Sequence, residues 1–241
     1  METAARYRTM GINYCLILSP SKASIYPEYL DLGLQVRETI IDTVCNYLGE
    51  NAPGVNVINN KIPLLEAKNN GAPALYSKTD THWNGLGQYY SCKYDLMRMN
   101  DFFNLGFTNY IEMTIGETEH LGDLFSFLSN DKIRMDFTTS YASLIDQKGK
   151  YLSAGDEYYD HIINLTIQGE GYDFVYENPE ATGGTLLILT DSFVRSCAHY
   201  FGQNFKKVVI IGDGPTDELI DFVNPDIIVY AFTERLISGL Y

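Results

Sequence analysis

The apolar positions of this chain fall into short unbroken runs and longer runs at helical spacing, and their order predicts alternating strands and helices. Ile12–Leu18 is short, bounded and rich in large apolar side chains, and it ends at Ser19-Pro20, the pattern of a buried strand. From Leu30 to Leu48 the residues Leu34, Val36, Ile40, Ile41, Val44, Cys45 and Leu48 recur near helical spacing, with Gly49 offering a stop. Val55–Ile58 reads as a second strand, so this part of the chain predicts a strand–helix–strand unit of a parallel sheet. A short helix at Ile62–Ala67 precedes the break at Asn69-Asn70-Gly71. Asn84 then stands as the N-cap of a long helix over Gly85–Phe103, which carries Tyr89, Leu96 and Met99 on its apolar side.

The same alternation returns near the C-terminus. Gly183-Gly184 introduces a strand at Thr185–Leu189, followed by a helix from about Phe193 to Tyr200, a strand at Lys207–Ile211, a turn at Gly212–Pro215, a helix at about Thr216–Val223 and a strand at Ile227–Phe232. Between these halves, from about 106 to 176, periodicity weakens. Alternating pieces at Ile111–Ile115 and His161–Ile167 flank a short helical stretch at Gly122–Leu128, and Asp156, Glu157 and Asp160 form a local acidic face. No internal repeat or low-complexity linker divides the chain. The expectation is a three-layer α/β fold forming one domain over 1–241, with a peripheral insertion at about 106–176 and a sheet that draws strands from both ends.

Composition narrows the classes of partner. With 241 residues and 45% hydrophobic content the chain can bury a substantial core. Its 31 acidic against 17 basic side chains give a formal charge of −14, which opposes attraction to nucleic acid or to an anionic leaflet and tolerates neutral ligands such as glycans. Nineteen tyrosines suit sugar-stacking surfaces, and equally half-buried positions whose hydroxyl reaches water. Cys15, Cys45, Cys92 and Cys197 are too widely spaced for a close-set metal pattern and read as buried free thiols, although the even count leaves disulfides open. No run reaches the roughly 18 apolar residues of a spanning helix, and the start of the chain lacks the apolar region of a signal peptide.

The candidate chemistry centres on Lys78-Thr79-Asp80-Thr81-His82-Trp83-Asn84, where a carboxylate stands two residues before an imidazole in a loop that leads into a helix. His82 is alone among the four histidines in having such a neighbour; His120, His161 and His199 have none. Ser192 follows the apolar strand at the start of the next helix, where a hydroxyl projects at the C-terminal edge of a sheet and nearby N–H groups favour charge on a bound carbonyl oxygen. With Asp80 accepting the Nδ1 proton, His82 Nε2 is free to remove the Ser192 proton and later return it to a leaving oxygen. Two other readings stand beside this one. Asp191 or Ser192 serves only as a helix cap, or Asp80, His82 and Asp191 supply ligands to a metal. Trp83 either walls the imidazole or anchors the following helix, with the anchor preferred. Gly212 and Gly214 lack the remainder of a phosphate-loop pattern and read as a turn.

Lys78–Asn84, Leu189-Thr190-Asp191-Ser192-Phe193, Ser21-Lys22 with Tyr26–Leu30, and Asn224-Pro225-Asp226 leading to Glu234-Arg235 together resemble the SGNH-hydrolase-like proteins of the alginate O-acetyltransferase and DHHW type. The resemblance spans nearly the whole chain. It implies an SGNH-hydrolase-like fold with a central, mostly parallel sheet and a circularly permuted motif order, Asp and His preceding Ser. It also implies Ser192 as nucleophile, His82 as general base and acid, Asp80 as its orienting carboxylate, and no cofactor or metal. The implied activity is transfer of an acetyl group onto an exopolysaccharide or cell-wall glycan outside the cytoplasmic membrane, often beside a membrane-bound O-acyltransferase. A carbohydrate O-acetyl esterase and a glycan-binding protein without turnover are the alternatives. Thr190 stands where the family often has Gly.

Overall fold

The computed structural model describes residues 2–30, 38–108, 110, 112–127, 137–166, 173–212 and 214–237. In chain order the elements are α1 (Glu2–Thr9), β1 (Asn13–Ser19), α2 (Lys22–Ile25), α3 (Ile40–Asn51), β2 (Asn56–Asn59), α4 (Lys61–Asn69) and α5 (Gly85–Phe103). There follow β3 (Met113–Glu119), β4 (Thr138–Leu144), β5 (Lys150–Tyr151), α6 (Glu157–Leu165), β6 (Phe174–Glu177), β7 (Gly183–Thr190), α7 (Ala198–Phe201), β8 (Phe205–Ile211), α8 (Asp217–Val223), β9 (Ile227–Thr233) and α9 (Glu234–Ile237).

Seven strands form one sheet in the order β2-β1-β9-β7-β8-β6-β5. The pairs among β2, β1, β9, β7 and β8 are parallel, and β6 and β5 add an antiparallel margin. The mostly parallel sheet flanked by helices is the one the alternating pattern predicts, with β1 and β9 from opposite ends of the chain paired through Ser19 opposite Thr233. Side chains of β7 alternate between two cores. Leu186 and Ile188 join the core under α5, while Leu187 and Leu189 pack with Leu219, Ile220 and Val223 of α8 on the other face.

Local chemistry explains most element boundaries. The Asn84 side chain accepts hydrogen bonds from Leu86 N and Gly87 N, so α5 starts where the cap residue predicts. The helix expected over Leu30–Leu48 begins instead at Ile40, where Thr39 and Asp42 form a capping box, and it runs through Gly49 to Asn51; the part of that expectation at 31–37 lies outside the described residues. Ile111 and Ile167, at the ends of the two alternating pieces, also lie outside them. His161 to Leu165 belong to a helix rather than an extended piece: Asp156 caps α6 by accepting from Tyr158 N and Tyr159 N, and only Ile162 is fully buried on it. Of the helical stretch expected at Gly122–Leu128, Asp123–Phe127 form a 3-10 turn and Leu128 lies outside the described residues. The helix expected from Phe193 to Tyr200 is also shorter, a 3-10 turn at Arg195–Cys197 followed by one turn at Ala198–Phe201. Cys15, Cys92 and Cys197 are buried free thiols, and Cys45 is half-buried. No helix among the described residues is long and apolar enough to cross a membrane.

Candidate active site

The parallel strands end along one edge, and their exits carry the site. β1 leads into Ser21 and Lys22, β7 into Asp191 and Ser192, and β9 into Glu234 and Arg235. The turn after β7 is held by Asp191, whose Oδ1 accepts from Phe193 N at 2.9 Å and whose Oδ2 accepts from Thr233 N at 2.7 Å and from Thr233 Oγ1. These bonds tie the Ser192 turn to β9. Asp191 therefore braces a turn and does not cap a helix, and a dipole argument for Ser192 loses its basis because the helical residues begin later. Thr190 is buried and does not line the cleft beside Ser192.

Asp80, His82 and Ser192 meet in one hydrogen-bonded line. His82 Nδ1 lies 2.7 Å from Asp80 Oδ1, and His82 Nε2 lies 2.7 Å from Ser192 Oγ, a junction of residues 110 positions apart. Asp80 Oδ1 also accepts from the His82 backbone N–H at 2.9 Å, which fixes the carboxylate relative to the ring it faces. The tautomer follows from the partners: an ionised carboxylate only accepts, so Nδ1 carries the hydrogen and Nε2 offers its lone pair to the Ser192 hydroxyl. Burial of Asp80 by itself raises its pKa, but hydrogen bonds from His120, from the His82 backbone and from the His82 ring outweigh it and hold the carboxyl well below the usual range.

Aromatic packing sets the ring plane. Phe193 lies 5.0 Å from the His82 ring and 5.2 Å from Trp83. Trp83 is buried and donates Nε1–H to Phe193 O at 2.9 Å, so it anchors the loop before α5 to the Ser192 turn, the role preferred from sequence.

Three charged residues from the other strand exits brace this arrangement. Lys22 Nζ donates to Ser77 O at 2.5 Å, Lys78 O at 3.0 Å and Asp80 O at 3.0 Å, clamping the loop that presents Asp80. Burial lowers the Lys22 pKa, opposed by the nearby charges of Asp80 and Asp123. Glu234 accepts from Ser21 N and Ser21 Oγ at 3.0 Å each and from Ser24 Oγ, which locks the β1 exit to the end of β9. Arg235 Nη2 lies 3.4 Å from Ser192 Oγ, and its Nη1 donates to Thr81 Oγ1 at 3.2 Å.

The triad opens into a cleft of about 400 Å³ whose rim includes Gln88, Thr118, Thr139, Ser140, Tyr141 and Ser196. Apart from Gln88, each of these presents a hydroxyl. Two residues of the site carried no local sign in the sequence. His120 Nε2 lies 2.7 Å from Asp80 Oδ2, and Asp123 accepts from Thr81 N at 2.7 Å and from Thr81 Oγ1. Both come from the segment after β3, some 40 residues beyond the motif they touch, so no spacing rule could find them. His161 and His199 lie elsewhere, stacked on Phe222 and bonded to the Tyr151 hydroxyl respectively.

Among the described residues, the group able to approach a metal is Asp80, His82 and Asp123, not the Asp80, His82 and Asp191 set considered from sequence, because both Asp191 oxygens are taken up by the turn. In this group His82 Nδ1 already faces Asp80, and Asp123 is engaged by Thr81, so the donors fit the hydrogen-bonded triad better than a metal.

The mostly parallel sheet with an Asp–His–Ser line at its C-terminal edge is an SGNH-hydrolase-like α/β fold, with Asp and His ahead of Ser in the chain. No family model matches the chain. It is 26% identical over 251 aligned positions to the probable alginate O-acetylase AlgJ of Pseudomonas aeruginosa, a match that covers 93% of this chain and 59% of that protein. The chain thus spans under two thirds of the length of that curated relative. Its fold is similar to that of Bacillus cereus PatB1 (TM-score 0.68, 18% identity, 97% of this chain and 86% of that one). It is also similar to a DHHW family protein from Eubacterium siraeum (TM-score 0.62, 19% identity, 96% and 83%) and to the O-acetyltransferase domain of Pseudomonas putida AlgJ (TM-score 0.58, 16% identity, 97% and 78%). In sequence the chain is thus similar to a probable alginate O-acetylase, and in fold to a DHHW family protein and to an O-acetyltransferase domain.

Proposed function

We propose that this protein is a serine-dependent O-acetyltransferase that moves an acetyl group onto hydroxyls of a bacterial exopolysaccharide or cell-wall glycan. The observation that carries the reading is the unbroken line from Asp80 through His82 to Ser192, with 2.7 Å at both junctions, at the edge of an open cleft. His82 Nε2 takes the Ser192 proton as Oγ attacks the carbonyl carbon of an acetyl ester. The Ser192 amide and the Arg235 guanidinium stand beside the developing oxyanion. Collapse breaks the ester bond, and the same proton passes from His82 to the departing alkoxide, leaving acetyl-Ser192. A sugar hydroxyl then gives its proton to His82 and attacks the acetyl group. Ser192 leaves as the alkoxide and recovers the proton, so the cycle closes with the acetyl group transferred.

The hydroxyl- and amide-bearing rim suits a polyhydroxylated acceptor, and the net charge of −14 disfavours a polyanionic nucleic acid in that place. Resemblance to the probable alginate O-acetylase supports a glycan acceptor, and we place the reaction outside the cytoplasmic membrane, beside a membrane-bound O-acyltransferase. We read residues 1–241 as one catalytic unit. A carbohydrate esterase shares the same intermediate and differs only in water arriving first.

Intact mass after exposure to an activated acetyl ester tests the intermediate. The parent should gain one acetyl group, and Ser192→Ala and His82→Ala should not. Adding candidate glycans should move acetyl onto sugar. Free acetate with no acetylated glycan would replace transferase with esterase, and absence of any adduct or ester turnover with every donor would end the proposal.

A further inference from the structure

His120 touches the same carboxylate as the base of the triad. Asp80 presents Oδ1 to His82 Nδ1 and Oδ2 to His120 Nε2, each at 2.7 Å. The outer ring is held from both sides of its backbone: His120 N donates to Phe137 O at 3.0 Å, and His120 O accepts from Thr79 Oγ1 at 3.2 Å. The following residues lie flat against the Asp80 loop, since Gly122 N donates to Thr79 Oγ1 at 3.1 Å and Leu124 N to Thr79 O at 3.0 Å. A methyl group built on Gly122 would stand 2.3 Å from Thr79 O and 2.4 Å from Asp80 Cβ. The segment from 120 to 124 is therefore part of the site by contact, although it enters from the far end of β3.

The contact has a chemical direction. Asp80 is held ionised by its surroundings, and a carboxylate oxygen can only accept, so His120 Nε2 carries a hydrogen and donates it. Asp80 is buried, with 12% of its side chain exposed, while the His120 ring is 45% exposed and lines the cleft. Among the described residues, the other titratable or charged groups facing this pair are His82, Asp123 with Oδ2 at 3.6 Å from His82 Nδ1, Lys22 on the Asp80 carbonyl, and Arg235 on Thr81.

Resting on the acyl-transfer reading above, we propose that His120 is a positioning residue of this site. It donates to Asp80 Oδ2, which fixes the carboxylate rotation that turns Oδ1 toward His82 and draws off part of the negative charge that stabilises the His82 imidazolium. The pull on His82 is thereby set by two imidazoles sharing one carboxylate. A residue that only tethered the β3 segment would hold the loop without touching that charge.

The test uses the full chain as parent, His120→Gln and His120→Ala. Glutamine keeps a nitrogen donor near the Nε2 position, and alanine removes it. A serine-directed sulfonyl fluoride reports the labelling rate of Ser192 by intact mass between pH 5 and 9, and NMR follows the His82 ring C2–H over the same range. In His120→Ala the freed carboxylate should move the His82 titration and the acid limb of labelling to higher pH, with a maximal rate about tenfold lower, as one lost hydrogen bond predicts. His120→Gln should restore both toward the parent. Coincident titrations in the parent and His120→Ala, or a glutamine variant that behaves as the alanine one, would overturn the proposal. The NMR titration decides this even where Ser192 takes no label, an outcome that would remove the acyl-transfer reading alone.

Discussion

Asp95 offers the sharpest stability prediction. It sits on α5 with no exposed surface; Oδ1 has no hydrogen-bond partner among the described residues, and Oδ2 has only Asn60 Nδ2 at 3.4 Å. Burial drives its carboxyl well above the usual range, and the Asn60 hydrogen bond only partly offsets that push. The folded protein therefore keeps a proton that the unfolded chain releases near pH ~4. Unfolding then sheds a proton, so the contribution of Asp95 to stability is greatest at low pH and falls by about 1.4 kcal/mol per unit as pH rises, until the folded carboxyl itself titrates. Asp95→Asn keeps the shape and removes the proton linkage. Its advantage over the parent should widen as pH rises above ~4, by up to about 1.4 kcal/mol per unit, until the folded carboxyl titrates. Urea unfolding at each pH reads this as a difference in midpoint growing by roughly half a molar per unit, for an m of about 2–3 kcal/mol/M. A gap that stays constant or narrows with pH would refute the reasoning, whatever its absolute size.

Three further outcomes follow from the braces of the site. Lys22→Met leaves the carbonyls of buried Ser77 and Asp80 and of exposed Lys78 without this donor, and should cost about 1–3 kcal/mol of stability together with ester turnover; an unchanged turnover would show that the clamp does not position Asp80. Gly122→Ala must push the Thr79–Asp80 backbone aside, since the added carbon meets atoms at 2.3 and 2.4 Å, so kcat should fall at least tenfold, read with an activated ester. Asp80→Asn should lower turnover by about 10³- to 10⁴-fold through the wrong His82 tautomer. Because the Asp80 pKa is depressed on folding, its contribution to stability is present above pH ~4 and lost as pH falls through the folded value; the stability gap between parent and Asp80→Asn, followed by acid titration of the tryptophan fluorescence, should close progressively below pH ~4.

Much of the architecture was legible because it rests on local rules. Buried parallel strands need continuous apolar runs, so β1, β7, β8 and β9 stand out from their neighbours, and the Asn84 cap marks the start of α5 within a residue. Local rules failed where tertiary contacts decide. α6 carries an alternating apolar sequence yet is helical, because Asp156 caps it and Ile162 has a core to enter. The stretch after Ser192 has helical composition, but Asp191 spends its carboxylate on Phe193 N and on Thr233 of a neighbouring strand, which holds an open turn there.

By itself the sequence determined the kinds of residue available for chemistry and the elements that carry them: a carboxylate two residues before an imidazole in a loop, and a hydroxyl after a buried strand. Only the tertiary structure decided their company. Side-chain chemistry is written residue by residue, but hydrogen bonds reach about 3 Å and act between segments that the sheet order brings to one edge. That edge sets Ser192 against His82 across 110 positions, binds Lys22 to the Asp80 loop, and places His120 on the second oxygen of a carboxylate whose first oxygen already had a partner.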